Sequence, residues 1–184
     1  IGWGVIGAAM DCYETARHYA TVRKQFDDRP IASHQLVQEK LAWMITEITK
    51  AQLLALHIGR LKDNGKAEPA HISMLKRNNV AMALDVARTS RDLLGAYGIM
   101  DEYPIMRHMC NLETVKTYEG THNIHTLVIG ERVTGVAAVA AAGRRRVERA
   151  ARDVAEGERG ARLPRGEDAD PLRRRPLEAL RPLG

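Results

Sequence analysis

Aromatic residues make up only 4% of this 184-residue chain, and all of them, with all seven histidines, lie before residue 126. So few aromatics argue against a β-sandwich and make a helical domain the expected class. Cysteine is nearly absent as well. Cys12 and Cys110 stand alone, with no CxxC pair and no dense framework, which excludes a disulfide scaffold and suits two packed thiols in a reducing compartment. No apolar run reaches the ~18 residues of a membrane span. No secretory leader is visible, and the helical pattern opens directly at Ile1, so further sequence upstream is expected.

Lysine disappears from Arg144 onward, where 12 arginines, 8 acids and four prolines (Pro164, Pro171, Pro176, Pro182) share a stretch with few apolar side chains. That stretch carries most of the net charge of +5. A packed domain is therefore expected over residues 1–143, followed by a weakly ordered tail over 144–184, with at most a helical continuation to about Glu156. The interspersed acids dilute the tail's charge, and it has no aromatic ring on which a base could stack. Neither nucleic acid nor an anionic membrane is an expected partner.

What the chain does have is helical periodicity, within a composition of 45% hydrophobic and 28% charged residues. A first helix is expected to about Lys24, with Val5, Ala9, Cys12, Ala16 and Tyr19 on one face. The second runs from Ser33, a candidate cap, to about Asp63, carrying Val37, Leu41, Met44, Ile48, Ala51, Ala55 and Ile58 at spacings of three and four, and Gly65 stops it. A third starts near Pro69 and runs to Gly95. A short helix from Pro104 to about Thr117 leads to a break, and Ile124, Leu127, Val128 and Val133 continue an apolar stripe beyond it. The pattern predicts an all-α four-helix-bundle architecture with short antiparallel connections.

The break itself, Tyr118-Glu119-Gly120-Thr121, is the chemically suggestive feature. It puts one carboxylate between two helical segments, with a glycine that permits close backbone approach and a threonine placed to cap the next helix, whose free N–H groups suit an anionic ligand. On spacing alone, a capped helix–helix turn with a solvated glutamate is the better reading. Two further patterns compete. Gly2-Trp3-Gly4-Val5-Ile6-Gly7 matches the dinucleotide fingerprint but has no strand before it, so close packing of two helices is the better reading. Glu119-x-x-His122 and Glu68-x-x-His71, with His125 nearby, have the spacing of a di-metal four-helix site, but each pair straddles a helix breaker, Gly120 or Pro69.

The run Tyr118-Glu119-Gly120-Thr121-His122-Asn123-Ile124-His125 resembles the YEGT segment of the acyl-CoA dehydrogenases, and its histidines are most similar to the glutaryl-CoA dehydrogenase branch. Arg23-Lys24-Gln25-Phe26, His34-Gln35, Leu75-Lys76-Arg77-Asn78-Asn79 and Asp92-Leu93-Leu94-Gly95-Ala96-Tyr97-Gly98-Ile99 fall in the same family's order, so the resemblance runs from Ile1 to about Val139.

That resemblance implies the C-terminal helical domain of an FAD enzyme, in which a base removes the α-proton of a thioester while the β-hydrogen leaves as hydride to the flavin. By position, Glu119 matches the base and Gly120 a backbone contact to the acyl-CoA substrate. Arg23 matches the arginine on the flavin diphosphate, a suitable task for a fixed fork of donors. Gln35 matches an adenosine-side contact, Thr121 a cofactor contact, and Asp92, Leu93, Leu94, Gly95 and Ala96 the loop that meets FAD across a subunit boundary. Glutaryl-CoA as substrate, electron-transfer flavoprotein as electron acceptor and a homotetramer are implied likewise. So is a location in the bacterial cytoplasm or the mitochondrial matrix. The family's N-terminal helical and central β-domains do not occur in these residues, so this stretch alone is not expected to turn over. A helical module that only assembles with partners is the alternative. The chain departs from the family at Asp27-Asp28, where one extra residue intervenes and glycine is usual, and at Ala96-Tyr97, where Gly-Asn is common.

Overall fold

The computed structural model describes residues 1–138. The expected boundary at residue 143, and everything anticipated for residues 144–184, lie outside them. Five α-helices occupy the described residues: α1 (Gly4–Val22), α2 (Gln35–Asp63), α3 (Pro69–Leu94), α4 (Ile105–Thr117) and α5 (His122–Thr134). The helix α3 is the central element and packs against the other four.

Its sequence explains that position. Buried residues recur along α3 over more than one face, from Ile72, Leu75 and Asn79 to Val80, Ala83, Leu84, Ala87 and Leu94, leaving mainly Met74, Arg77, Asn78, Asp85 and Arg88 outside. A helix that is apolar over so wide an arc has to be enclosed by neighbours. The expected stripes of α1 and α2 supply two of them: Val5, Ala9, Cys12 and Ala16 from α1, and Met44, Ile48, Ala51, Ala55 and Ile58 from α2, are all buried in one core. The small residues among these let the helix axes approach closely. Burial also pushes the Cys12 thiol up to about 12, with Asp11 adding to the shift, so it packs as an inert hydrophobe.

Gly2 lies in the turn before α1 and Gly4 and Gly7 within the helix, with no strand before them among the described residues. A Cβ on Gly2 would lie 2.5 Å from the Leu75 side chain, so the close approach expected of this run holds at Gly2, whereas Gly4 and Gly7 have nothing within 4 Å. Gly2 also gives its carbonyl to Asn79, a fully buried side chain on α3, at 3.0 Å.

Three local expectations are corrected. Ser33 does not cap α2. It lies in a 3-10 turn, its hydroxyl donates back to the Pro30 carbonyl at 2.8 Å, and His34 occupies the cap position. The first helix, expected to reach about Lys24, ends at Val22, and the connection after it forms a hairpin of two-residue strands, β1 (Lys24–Gln25) paired antiparallel with β2 (Arg29–Pro30). Phe26, Asp27 and Asp28 turn it with φ of 52°, 59° and 56°, so the extra acidic residue is absorbed in a left-handed turn. In α5 the apolar stripe stays at the surface: Ile124, Leu127 and Val128 are half-buried, Val133 is exposed, and the residue that enters the core is His125. The helix ends at Gly135, with φ of 70°.

Candidate active site

The expected site residues gather at two ends of α3. At one end, the last turn of α4 meets α5 through Tyr118–Thr121. Tyr118 leaves the helix extended, Glu119 has φ of 52° and Gly120 has φ of 87°. Two successive left-handed residues reverse the chain sharply, and for a non-glycine residue such as Glu119 that conformation costs about 1–2 kcal/mol. Thr121 then caps α5 as expected, its hydroxyl accepting the Ile124 N–H at 3.3 Å. The Glu119 side chain is exposed on this chain.

Two buried side chains hold the strained turn, and neither was singled out from sequence for that task. Lys76, 3% exposed on the second turn of α3, donates its ammonium to the carbonyl of Tyr118, to that of Glu119 at 3.3 Å and to that of Gly120 at 2.6 Å. Desolvation pulls this lysine below the ordinary ammonium range, and the neighbouring Glu119 carboxylate pushes it back up. His125, 2% exposed, puts its ring beneath Gly120 and fixes Nδ1 against the Ser73 hydroxyl at 3.1 Å. A signal existed for Lys76: it falls on the Ile72, Asn79, Val80, Ala83 stripe, where a charged residue is out of place unless it has a partner in the core.

The His125 imidazole lies well below its ordinary 6.5, at about 4, because burial and the Lys76 ammonium disfavour a second positive charge. Above 6.5 neither the folded nor the unfolded chain protonates it. Between 6.5 and about 4 only the unfolded chain takes up the proton, so stability falls as pH falls through that window and levels off for this group below it. The urea midpoint should decline across the window, and His125→Gln should flatten the decline; an unchanged slope in the variant would contradict this.

An open cleft of about 610 Å³ lies beside the turn, between α3, α4 and the start of α5, with Arg88, Glu113, Lys116, Thr121 and His122 among its lining. Arg88 and Glu113 close one wall with an ion pair at 2.5 Å. Burial, Arg77 and Lys116 hold His122 below the ordinary imidazole range.

Glu68 and His71 of the di-metal pattern are engaged otherwise. Glu68 and His71 form a capping box at the start of α3, with His71 Nδ1 accepting the Glu68 N–H at 3.0 Å, and the Glu68 carboxylate is engaged by Arg132 at 2.6 Å. Both partners are engaged in starting α3 and tying it to α5. Among the described residues no group of three or more His, Cys, Asp or Glu side chains could hold a metal ion.

Thr121, also matched to a cofactor contact, stays at the Glu119 end, and at the other end of α3 lie the remaining residues so matched. Arg23 closes α1 and Gln35 opens α2, both exposed. Arg23 has no side-chain partner among the described residues, and its neighbour Lys24 takes Asp28 at 3.1 Å. A guanidinium with no acidic partner among the described residues suits an anionic diphosphate. Asp92 is tied across to Lys40 of α2, which with Arg91 holds its carboxyl below the usual range. Leu93 is half-buried, and Leu94 is a core residue at 2% exposure, so any ligand contact at Leu94 is through its backbone. Gly95 has φ of 58°, with nothing within 4 Å of where a Cβ would stand, and Ala96 is exposed. Tyr97 beside them joins Tyr19 and Tyr103 in a ring cluster with centroids 6.0–6.3 Å apart.

Lys76 and Asp92 are separated by sixteen residues of α3, hence by about 24 Å along the helix axis. Within one chain the Glu119 turn and the Arg23, Gln35 and Asp92–Ala96 cluster do not meet.

The family described as acyl-CoA dehydrogenase, C-terminal domain, matches residues 1–134. A crystal structure of glutaryl-CoA dehydrogenase from Mycobacterium smegmatis is similar with a TM-score of 0.74 and 56% identity, covering 76% of this chain and 36% of that one. A glutaryl-CoA dehydrogenase of Desulfococcus multivorans is 32% identical over 134 residues, which is 72% of this chain and 34% of the relative. A 3-(aryl)acrylate reductase of Clostridium sporogenes is also 32% identical, over 128 residues, 70% of this chain and 34% of the relative. The chain thus spans about a third of the length of the curated relatives it matches.

Proposed function

The chain belongs to the acyl-CoA dehydrogenase family, as its C-terminal domain, and from that premise we propose that it is the base-bearing helical part of an FAD-dependent dehydrogenase acting on glutaryl-CoA. The observation that carries this reading is the 56% identity to the Mycobacterium smegmatis glutaryl-CoA dehydrogenase over three quarters of the chain, which includes the strained turn presenting Glu119.

The chemistry assigns each part a task. Glu119 is the general base that takes the α-proton of the thioester; as a carboxylate it needs the rest of the subunit to exclude water so that its basicity approaches the demand. Gly120, with no side chain, lets the substrate thioester approach the main chain. Arg23 and Gln35 would hold the diphosphate and adenosine portions of FAD, Asp92 to Ala96 its far side, and Thr121 a further contact. The flavin supplies the hydride acceptor. Loss of the terminal carboxylate as CO2 then gives crotonyl-CoA, and electron-transfer flavoprotein collects the electrons.

The test is anaerobic addition of glutaryl-CoA to the complete subunit carrying this segment. Bleaching of a bound flavin with release of CO2 and crotonyl-CoA is the expected result. Bleaching by another acyl-CoA alone would keep the base and reassign the substrate, and a colourless protein that assembles without flavin would favour the assembly module.

The roughly 24 Å between the two clusters supports an assembly of more than one copy, for which a homotetramer is proposed, since a loop that cannot reach Glu119 within its own chain can serve a neighbour's site. Leu36, Trp43, Leu53 and Leu56 on α2 are exposed large hydrophobics suited to such contacts. Light scattering of the complete protein at micromolar concentration should give a tetramer, and a monomer there would refute the assembly.

A further inference from the structure

We propose that Lys76 is a positioning residue for the candidate base: its ammonium clamps the three consecutive carbonyls of Tyr118, Glu119 and Gly120 and so fixes the direction in which the Glu119 carboxylate leaves the turn. The inference rests on the assignment of Glu119 as base.

A lysine at 3% exposure is costly unless its charge is answered. Here no carboxylate comes within salt-bridge distance of Lys76 among the described residues, and the three ammonium protons meet three carbonyl oxygens. Those carbonyls follow the C-terminus of α4, where helix dipole and unpaired carbonyls both attract a cation. The Tyr118 ring adds a face 5.7 Å from the same Nζ. Lys76 cannot follow the turn if the turn moves, because its backbone is in the core helix. Ser73, one turn earlier on the same face of α3, holds His125 beneath Gly120. The helix α3 therefore grips the turn twice, by its carbonyls through Lys76 and from below through His125.

A cap that only stabilised α4 would lower the melting temperature and leave the chemistry of folded protein intact. A positioning residue acts on the chemical step. In the complete FAD-loaded subunit, Lys76→Met should reduce kcat by about 100-fold, the scale of a misplacement of about 1 Å. It should reduce the exchange of the α-proton of a non-oxidisable 3-thia-acyl-CoA with solvent deuterium equally, with KM and flavin content essentially unchanged. Amide exchange at residues 119–122 should rise. Lys76→Arg, which keeps the charge and its donors, should recover part of the rate. Wild-type kcat in Lys76→Met, or a kcat lowered only in step with lost flavin or folded protein, overturns the proposal. If Lys76→Met does not fold, Lys76→Gln, which keeps an N–H donor pair without the charge, carries the same expectations. A Glu119→Gln control separates the two readings: if it retains turnover the base assignment fails, while the amide-exchange comparison still reports whether Lys76 holds the turn.

Discussion

Glu119→Gln, introduced into the complete subunit, should abolish α-proton abstraction while FAD stays bound. The amide has nearly the shape of the carboxylate and fits the same exposed position in the turn, but it cannot accept the proton. General-base catalysis contributes ~10²–10⁴-fold, equivalent to about 3–5 kcal/mol of barrier, and the loss should exceed that range if no water takes over. Flavin content is expected to hold because Arg23, Gln35 and the Asp92 loop lie at the other end of α3. The measurement is flavin reduction on mixing with substrate, alongside flavin absorbance of the purified protein. Retention of more than about a tenth of the wild-type rate would remove Glu119 from the role.

Gly120→Ala should lower both stability and turnover, through one cause. At φ of 87° an alanine carries left-handed strain of about 1–3 kcal/mol. Its Cβ would also lie 2.9 Å from Nε2 and 3.1 Å from Cε1 of His125. That ring has nowhere to retreat, being 2% exposed and tied to Ser73. The turn must shift instead, and Lys76 holds its carbonyls from the side, so the displacement falls on Glu119. A shift of about 1 Å there costs roughly 100-fold in rate. Gly65→Ala provides the comparison. Its φ of 69° carries similar strain, but nothing lies within 4 Å of the added Cβ and it lies outside both clusters, so it should show the strain alone. Equal losses of melting temperature and of turnover in the two variants would mean that contact with His125 plays no part.

Much of this protein was determined by periodicity alone. The stripes of α1 and α2, the stop at Gly65, the start of α3 at Pro69 and the cap at Thr121 follow from local rules: apolar spacing for one buried face, proline at a first turn, a hydroxyl before a helix. All of these appear in the fold. The break at Tyr118–Thr121 was legible for the same reason, since a glycine followed at once by a capping threonine marks the start of a new helix.

Tertiary structure decided what periodicity could not weigh. Glu68 and His71 have metal-ligand spacing, yet a capping box and an arginine from α5, distant in sequence, use both of them. Ser33 is a good cap by type, but the hairpin before it draws its hydroxyl to Pro30. The polar residues that hold the site, Lys76 and His125, are buried only because α3 is enclosed by four other helices. A side chain's partner across the core depends on which helices meet, and at which turn. The same holds for the separation of the Glu119 turn from the Arg23 and Asp92 cluster: residue types marked both, but the length of α3 between them sets the distance.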